Sequence, residues 1–150
     1  MDEFGRPLPS PAADGYRNPS LAADSACTRV VNGKLQVLLI TRGMEPSKGK
    51  LALPGGFVDY NEDPEDAAIR ELKEECGIVG EVVEVLCVRG DPARDPRKHV
   101  VTIVYLVSAN AEPIAGDDAV DAAWFDLDEC LGLPAECWAF DHHEVVSMLT

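Results

Sequence analysis

Three glutamates lie close together in a short segment, Arg70 to Ile78, whose sequence predicts a helix. An α-helix turns about 100° per residue, so Glu71, Glu74 and Glu75 fall within roughly one third of its circumference. Like charges at these spacings repel one another and mildly destabilise an isolated helix. Such a cluster is therefore either a solvated acidic face or a site that holds a cation. The opposing side is apolar and is expected to pack inward, through Ala68, Leu72 and Cys76.

The sequence also marks both ends of this helix. Asp63 is a good N-cap, Pro64 suits the first helical position, and Asp66 has the spacing of a capping box. Gly77 suits the left-handed conformation that commonly ends a helix. Before the helix, residues 54–56 read Pro-Gly-Gly. Because glycine has no Cβ, this predicted turn allows the backbone to approach another group closely.

Residues 56–78 as a whole resemble the Nudix box, the sequence signature of the Nudix hydrolase family. The fixed positions are a glycine, a glutamate six residues later, the run Arg-Glu-Leu, the pair Glu-Glu and a final Gly-Ile. An ordinary amphipathic surface helix is the alternative interpretation. The resemblance implies that Arg70 holds the glutamates in place through ion pairs and that Glu62 supports the loop.

The resemblance also implies a metal site. Glu74 and Glu75 are expected to be the main ligands. Glu71 is expected to be a further ligand or to help activate water, and the Gly56 carbonyl oxygen to be another ligand. Carboxylates of this kind are charged at neutral pH, and oxygen-only ligands select hard cations, Mg²⁺ first and Mn²⁺ as a substitute.

The predicted chemistry follows from a metal ion shared between these carboxylates and a pyrophosphate. Such an ion neutralises charge and lowers the pKa of a bound water. The expected reaction is attack of water on phosphorus, which splits a nucleoside diphosphate linked to another moiety. Many Nudix enzymes recruit a further acid from a loop beyond the box. Asp118 is the first candidate here and Asp121 the second, although the family often uses the longer glutamate and either residue could simply lie in an acidic turn.

Residues 89–99 predict a loop, because Asp-Pro pairs mark turns. This loop is basic in a chain that is otherwise acidic, and Arg94 and Arg97 suit bidentate contacts to phosphate. His99 is assigned to substrate binding with them, while a packing histidine is the alternative. Solvated surface charge is the alternative for the arginines.

Residues 94–99 resemble a segment of bacterial and archaeal ADP-ribose pyrophosphatases, as do residues 48–58 and 139–142. One feature departs from that group. A proline that these relatives often carry downstream of the box has no counterpart at the expected position, which Pro92 and Pro96 straddle.

Composition limits the function classes. The chain has 150 residues, 46% hydrophobic residues and a net charge of −14. This charge argues against binding to nucleic acid or to an anionic membrane. The five cysteines are odd in number and not paired in metal-type spacings, and the acidic N-terminus is not a secretory signal, so a cytoplasmic protein is expected.

The predicted domain organisation is a partly ordered N-terminal arm, residues 1–20, followed by a single Nudix hydrolase domain, residues 21–150. Residues 21–31 and 35–41 predict a hairpin around Asn32-Gly33. Further strands are predicted at 51–53, 79–88, 100–107 and 122–127, a helical turn near 128–131 and a terminal helix at 140–149. Strands interleaved with helices predict the α/β class, with a mixed β-sheet in an α/β/α sandwich of the Nudix type.

The resulting prediction is a Mg²⁺-dependent pyrophosphohydrolase that converts ADP-ribose to AMP and ribose 5-phosphate. The first alternative keeps the site but cleaves an oxidised nucleoside triphosphate, a dinucleotide or a nucleotide sugar. The second is a sensor that binds ADP-ribose without turnover. Such regulators usually add a DNA-binding domain, for which this chain is expected to be too short. A small nucleotide diphosphate is thus the expected partner, and the resemblance of residues 16–19 to related proteins allows for a homodimer.

Overall fold

A computed structural model describes residues 1–116 and 118–150 of the chain. The strands are β1 (Ser20–Val31), β2 (Lys34–Arg42), β3 (Leu51–Ala52), β4 (Gly55–Phe57), β5 (Glu81–Arg89), β6 (Val100–Ser108) and β7 (Ala119–Asp126). The helices are α1 (Pro64–Cys76), α2 (Leu127–Leu131) and α3 (His142–Ser147), with one 3₁₀ turn at Ala135–Cys137.

The sheet is mixed, as predicted. Strands β1 and β2 form the expected antiparallel hairpin, in which Asn32 and Gly33 adopt left-handed φ angles of 51° and 76°. Residues 20–28 of β1 pair in parallel with the whole length of β6, and β6 pairs antiparallel with the outer strand β5. On the other side, β2 pairs antiparallel with both β3 and β7.

Helices cover the sheet on both faces, which confirms the α/β/α sandwich. Side chains alternate between the faces along each strand, so Leu38 and Ile40 pack towards α1, whereas Val37 and Leu39 pack towards α2 and α3. The first core includes the buried stripe of α1, namely Ala67, Ala68, Leu72 and Cys76. The second includes Leu127, Cys130, Val145 and Val146 of the other two helices. Both faces of the sheet are therefore buried in the centre of the molecule.

Three element boundaries differ from the sequence predictions. Residues 55–57 were expected to be part of a turn, but they form β4, which pairs antiparallel with the first half of β1. Strand β7 begins at Ala119, earlier than predicted, because it extends along β2 as far as Arg42. The terminal helix begins only at His142, because Phe140 has a left-handed φ of 50° that a helix cannot include.

Residues 1–19 contain no helix or strand, but they are not detached from the rest of the chain. Arg6 is buried against the loop that connects β5 and β6. Among the described residues, no helix is long and apolar enough to cross a membrane.

Candidate active site

Two adjacent glycines in β4 each leave room for a carboxylate. A Cβ added to Gly55 would overlap Oδ1 of Asp24 and would lie 2.6 Å from the carbonyl oxygen of Ala23. A Cβ added to Gly56 would lie 2.5 Å from Oε1 of Glu71. Cβ atoms do not come this close to other atoms in real structures. A side chain at either glycine would therefore have to displace the neighbouring carboxylate. Strand β4 thereby brings Asp24 of β1 and Glu71 of α1 to the same piece of backbone.

Helix α1 has the ends that its sequence predicts. Oδ1 of Asp63 accepts a hydrogen bond of 2.9 Å from the N–H of Glu65, and Pro64 begins the helix. Gly77 is left-handed, with a φ of 67°, and its N–H donates to the carbonyl of Lys73. These ends fix the rotation of the helix and hence the direction in which its glutamates point.

Arg70 connects the acidic side chains around the start of the site. Its Nε and Nη2 donate to the two carboxylate oxygens of Glu62, at 2.8 and 2.9 Å. Its Nη1 donates to Oε1 of Glu71 at 2.9 Å and lies 3.3 Å from Oε2 of Glu74. Nη2 also donates to the Phe57 carbonyl. The arginine therefore neutralises and orients the glutamates, in the manner that the Nudix-box resemblance implies.

Glu75 is buried, so the three glutamates do not form one solvated acidic face. Its side chain is only 8% exposed, and Oε2 accepts a long hydrogen bond of 3.3 Å from the N–H of Gly55. Burial, with repulsion from the charge of Glu71, raises the pKa of Glu75 to about 8. A bound cation would offset both effects and favour the ionised carboxylate.

Glu71 and Glu75 border a cavity of about 270 Å³. Of the predicted residues, the structure brings together around it Gly56, Glu71, Glu75, Asp118, Arg94 and Arg97. Glu74 does not border the cavity, because its side chain turns towards Arg70. His99 is also outside: its Nε2 lies 3.0 Å from the Gly90 carbonyl, and it borders a separate cavity beside the N-terminal arm.

The two candidate acids beyond the box differ in position. Asp118 borders the cavity, and its carbonyl is fixed by a 2.8 Å hydrogen bond from the N–H of Gly43. Asp121 lies within β7 opposite Thr41, does not border the cavity, and accepts a hydrogen bond from the N–H of Ala122. The neighbouring Asp117 lies outside the described residues. Geometry therefore favours Asp118 over Asp121.

Arginines form the wall opposite the glutamates. The guanidinium carbons of Arg42, Arg94 and Arg97 lie 5.2, 5.9 and 5.9 Å from the centre of the Phe140 ring. Asp141 accepts hydrogen bonds from Nε and Nη2 of Arg94, at 3.2 and 2.7 Å. Burial and the nearby charge of Arg97 lower the pKa of Arg42. This convergence of like charges would be stabilised by a bound anion.

Buried polar groups line the innermost part of the cavity. Oδ2 of Asp24 accepts a 2.8 Å hydrogen bond from Thr102, and burial raises the pKa of Asp24 to about 6. Nδ1 of His142 accepts a 3.0 Å hydrogen bond from the N–H of Leu53, and burial lowers the pKa of His142 to about 4. The neutral ring therefore carries its proton on Nε2, which faces Oδ2 of Asp24 at 3.9 Å.

Sequence reasoning missed part of this cavity. Asp24, Arg42, Thr102 and His142 were not assigned to the site from the sequence. One signal was present: an aspartate lies within the apolar run of β1, where a buried carboxylate needs partners. Arg42 offers no such signal, because an arginine at the end of a strand is usually only a surface charge.

The donor atoms at the cavity fit a hard divalent cation. Glu71 and Glu75 both offer carboxylate oxygens beside the glycine backbone of β4, Glu71 next to Gly56 and Glu75 at the N–H of Gly55. Within residues 1–116 and 118–150, no three His, Cys, Asp or Glu side chains are arranged to hold a metal ion by themselves. Mg²⁺ commonly takes only one or two protein carboxylates and completes its shell with water and substrate phosphate, so this set is sufficient.

Comparison with known proteins agrees with the fold and the site. The sequence model of the NUDIX domain matches residues 21–149. The chain therefore belongs to the Nudix hydrolase family. The ADP-ribose pyrophosphatase of Methanocaldococcus jannaschii is 41% identical over 132 residues, which are 87% of this chain and 73% of that protein.

Two further relatives are a transcriptional repressor and a NUDIX domain solved with ADP ribose. The ADPR responsive transcriptional repressor NtrR of Acinetobacter baylyi is 36% identical over 87% of this chain, which spans only 53% of the repressor. The NUDIX domain of Shewanella oneidensis NrtR, solved in a complex with ADP ribose, has a TM-score of 0.80 and 31% identity. That comparison covers 92% of this chain and 90% of the solved one.

Proposed function

We propose that this protein hydrolyses ADP-ribose to AMP and ribose 5-phosphate in a Mg²⁺-dependent reaction. The observation that carries the proposal is a single cavity with an acidic wall, Glu71, Glu75 and Asp118, facing three convergent arginines. The acidic wall suits a cation and the arginines suit a diphosphate. The 41% identity to an ADP-ribose pyrophosphatase over most of the chain supports the choice of substrate.

Glu71, Glu75 and the Gly56 carbonyl would hold the cation, and Glu74 could join them if its side chain left Arg70. When bound, Mg²⁺ would supply positive charge that neutralises the diphosphate and would make water a better nucleophile. Mn²⁺ has similar ligand preferences and is expected to substitute. Arg70 orients Glu71 through their 2.9 Å hydrogen bond.

The chain's own residues orient the substrate. Arg94 and Arg97 present guanidinium groups whose planar donors match phosphate oxygens. Phe140 lies beneath the arginines, and Phe57 is 39% exposed at the edge of the cavity, so both offer flat apolar surface for the nucleotide. Asp118 is proposed to accept a proton from the attacking water at its carboxylate. His99, outside the cavity, is not given a role in binding.

A panel of nucleotides tests this proposal. ADP-ribose, NADH, diadenosine diphosphate, an ADP-hexose and 8-oxo-dGTP would each be incubated with the protein and Mg²⁺, and the products identified by mass. We expect AMP and ribose 5-phosphate in equal amounts from ADP-ribose, with kcat/KM at least roughly tenfold above the other substrates, and no products after chelation of the metal. Faster cleavage of another member would overturn the substrate assignment while retaining the site.

A second candidate function is an ADP-ribose sensor. The similarity to an ADPR responsive transcriptional repressor and to a NUDIX domain solved with ADP ribose favours this alternative. The two candidates differ in a single measurement. A sensor binds ADP-ribose in calorimetry and leaves it intact after prolonged incubation with Mg²⁺, whereas an enzyme shows binding followed by product release.

The assembly and location also stay proposals. We propose a single domain from residue 21 to residue 150 with an N-terminal arm, residues 1–20, in agreement with the extent of the family match. Exposed valines on the outer strand β5, Val83, Val85 and Val88, offer an apolar surface for a homodimer. Light scattering would test whether the protein is a dimer.

The described cysteines are all free, which supports a reducing compartment such as the cytoplasm.

A further inference from the structure

Arg6 of the N-terminal arm is buried and makes hydrogen bonds across the chain. Its Nη1 donates to the carbonyl oxygens of Pro92 and Asp95, at 2.7 and 2.9 Å. Its Nε donates to Oδ2 of Asp2 at 2.8 Å, and Oδ1 of Asp2 accepts from the N–H of Arg6. Only 7% of Arg6 is exposed. Because charge-assisted hydrogen bonds of this length are strong, the guanidinium is rigidly held.

The same loop carries groups that border the cavity on its inner side. Asp95 is 2% exposed, and its Oδ1 accepts hydrogen bonds from the N–H and the Nε of Arg97, at 2.8 and 3.1 Å. Its Oδ2 accepts from Nη2 of Arg97 at 2.9 Å. Arg97 in turn lies over the rings of Phe57 and Phe140. The orientation of Arg97 thus depends on where Asp95 lies.

We propose that Arg6 is a positioning residue for substrate binding. By holding the carbonyls of Pro92 and Asp95, it fixes the outer side of the loop, and Asp95 then aims Arg97 into the cavity. The arm is accordingly part of the working site. The proposal rests on the proposed function, because it assumes that Arg97 contacts the diphosphate.

Arg94 and His99 also anchor the loop, and Nε2 of His99 lies 3.0 Å from the Gly90 carbonyl at its base. Arg94 binds Asp141 on the far side, and that contact does not hold the backbone of residues 95–97. Without Arg6, the carbonyls of Pro92 and Asp95 would lose a buried donor and would move to find water. The side chain of Arg97 would then adopt several orientations instead of one. This loss of order should weaken substrate binding more than it slows the chemical step.

Two readouts on Arg6→Ala test the proposal. The first is hydrogen exchange of the amides of Arg94 and Arg97, which in the intact loop donate to Asp91 and Asp95. We expect exchange at least roughly tenfold faster, without a change in the amides of β1 and β6. The second is steady-state kinetics on ADP-ribose, in which KM rises roughly tenfold and kcat stays within about twofold.

Arg17→Ala is the matched control, because its Nε donates only within the arm, to the Pro9 carbonyl. It should leave loop exchange and KM unchanged. In a double-mutant cycle, adding Arg6→Ala to Arg97→Ala should raise KM no further, since both act through the same contact. If Arg6→Ala does not fold, Asp2→Ala removes the acceptor of the Nε and the N–H of Arg6 but leaves the bonds from its Nη1, and it should shift both readouts in the same direction by less.

The outcomes separate this proposal from the proposed function. Unchanged exchange in the loop refutes the positioning role even if the wild-type protein is active. Faster exchange with an unchanged KM also refutes it, as does an additive effect in the cycle. A wild-type protein that neither binds nor cleaves ADP-ribose refutes the proposed function, and the exchange data then still decide whether Arg6 holds the loop.

Discussion

Replacement of Gly56 by alanine should remove activity without unfolding the protein. The added Cβ would lie 2.5 Å from Oε1 of Glu71 and 2.6 Å from its carboxylate carbon. An ordinary van der Waals contact is about 3.4 Å or longer, so the carboxylate would have to move by about 1 Å. The atoms it meets belong to the end of a flexible side chain, and this end can give way.

The expected magnitudes follow from that movement. A displacement of about 1 Å in a catalytic group can cost roughly 10²-fold in rate, so kcat/KM for ADP-ribose should fall by about this factor. Gly56 does not have a left-handed φ, so alanine is compatible with its backbone and should stabilise by about 0.4–1 kcal/mol through the unfolded chain. Loss of the Glu71 contact to Arg70 would offset this gain, and the net free energy of unfolding should stay within about 1 kcal/mol.

Gly55→Ala is the matched comparison, because it adds the same atom one residue away. Its Cβ would meet backbone, 2.6 Å from the Ala23 carbonyl oxygen and 2.8 Å from the Cα of Asp24, in addition to overlapping Oδ1 of Asp24. Strand β1 cannot retreat, since it is paired with β6 on its other edge. We therefore expect destabilisation of about 2–3 kcal/mol, as in an overpacked core.

Urea denaturation and steady-state kinetics on the two variants would test this reasoning. We predict different effects in the two variants. Gly56→Ala should lose about 10²-fold in kcat/KM and stay stable, whereas Gly55→Ala should lose stability. Equal losses of stability in both would show that Glu71 is not the mobile partner. Wild-type activity in Gly56→Ala would show that the position of the Glu71 carboxylate does not matter for turnover.

Three other variants extend the test. Glu75→Gln should lower kcat roughly 10²-fold or more because a ligand is weakened, while stability without metal is unchanged or higher because the variant lacks a carboxyl whose ionisation is opposed by burial; normal Mg²⁺-dependent kinetics would exclude the role. Arg97→Ala should raise KM roughly tenfold with little change in kcat, because Arg97 is expected to bind the substrate equally well in the ground state and the transition state. An unchanged KM would show that Arg97 is only a surface charge. Burial raises the pKa of Asp141, but hydrogen bonds from two arginines outweigh it and lower the value to about 2 from 3.8. The stabilisation by ionised Asp141 is therefore present above pH 3.8 and lost as the pH falls towards 2. In denaturation curves, Asp141→Asn should lower the free energy of unfolding by about 2–3 kcal/mol at pH 7 and by progressively less below pH 4. The control Glu144→Gln changes a side chain that is 65% exposed and should cost under about 1 kcal/mol at every pH. A cost independent of pH would contradict the ion-pair explanation.

The sequence predicted those elements whose local signals agree with the fold. Helix α1 has an N-cap at Asp63 and a left-handed Gly77, and the hairpin has an Asn-Gly turn, so each is determined within a few residues. The Nudix-box spacing singled out Glu71 and Glu75, which border the cavity. The burial of Glu75 was not predicted, because it depends on contact with the N–H of Gly55, twenty residues away.

The meeting of the three arginines at the cavity could not be predicted from local sequence patterns. Arg42, Arg94 and Arg97 come from two separate segments and meet only at Phe140, whose left-handed backbone no local pattern predicts. The glycines at 55 and 56 were expected to form a turn because glycine is rare in strands. Their pairing with β1 becomes evident only once Asp24 and Glu71 are seen to occupy the space that side chains would need.

The central claim is that Glu71 and Glu75 hold a hard divalent cation at this cavity. Electron paramagnetic resonance of Mn²⁺ titrated into the protein measures that directly, since bound and free Mn²⁺ give different signals. We predict saturable binding that strengthens when AMP is added, and affinity at least roughly tenfold weaker in Glu75→Gln. Binding of equal strength in the variant, or no binding by the wild-type protein with AMP present, would contradict the claim.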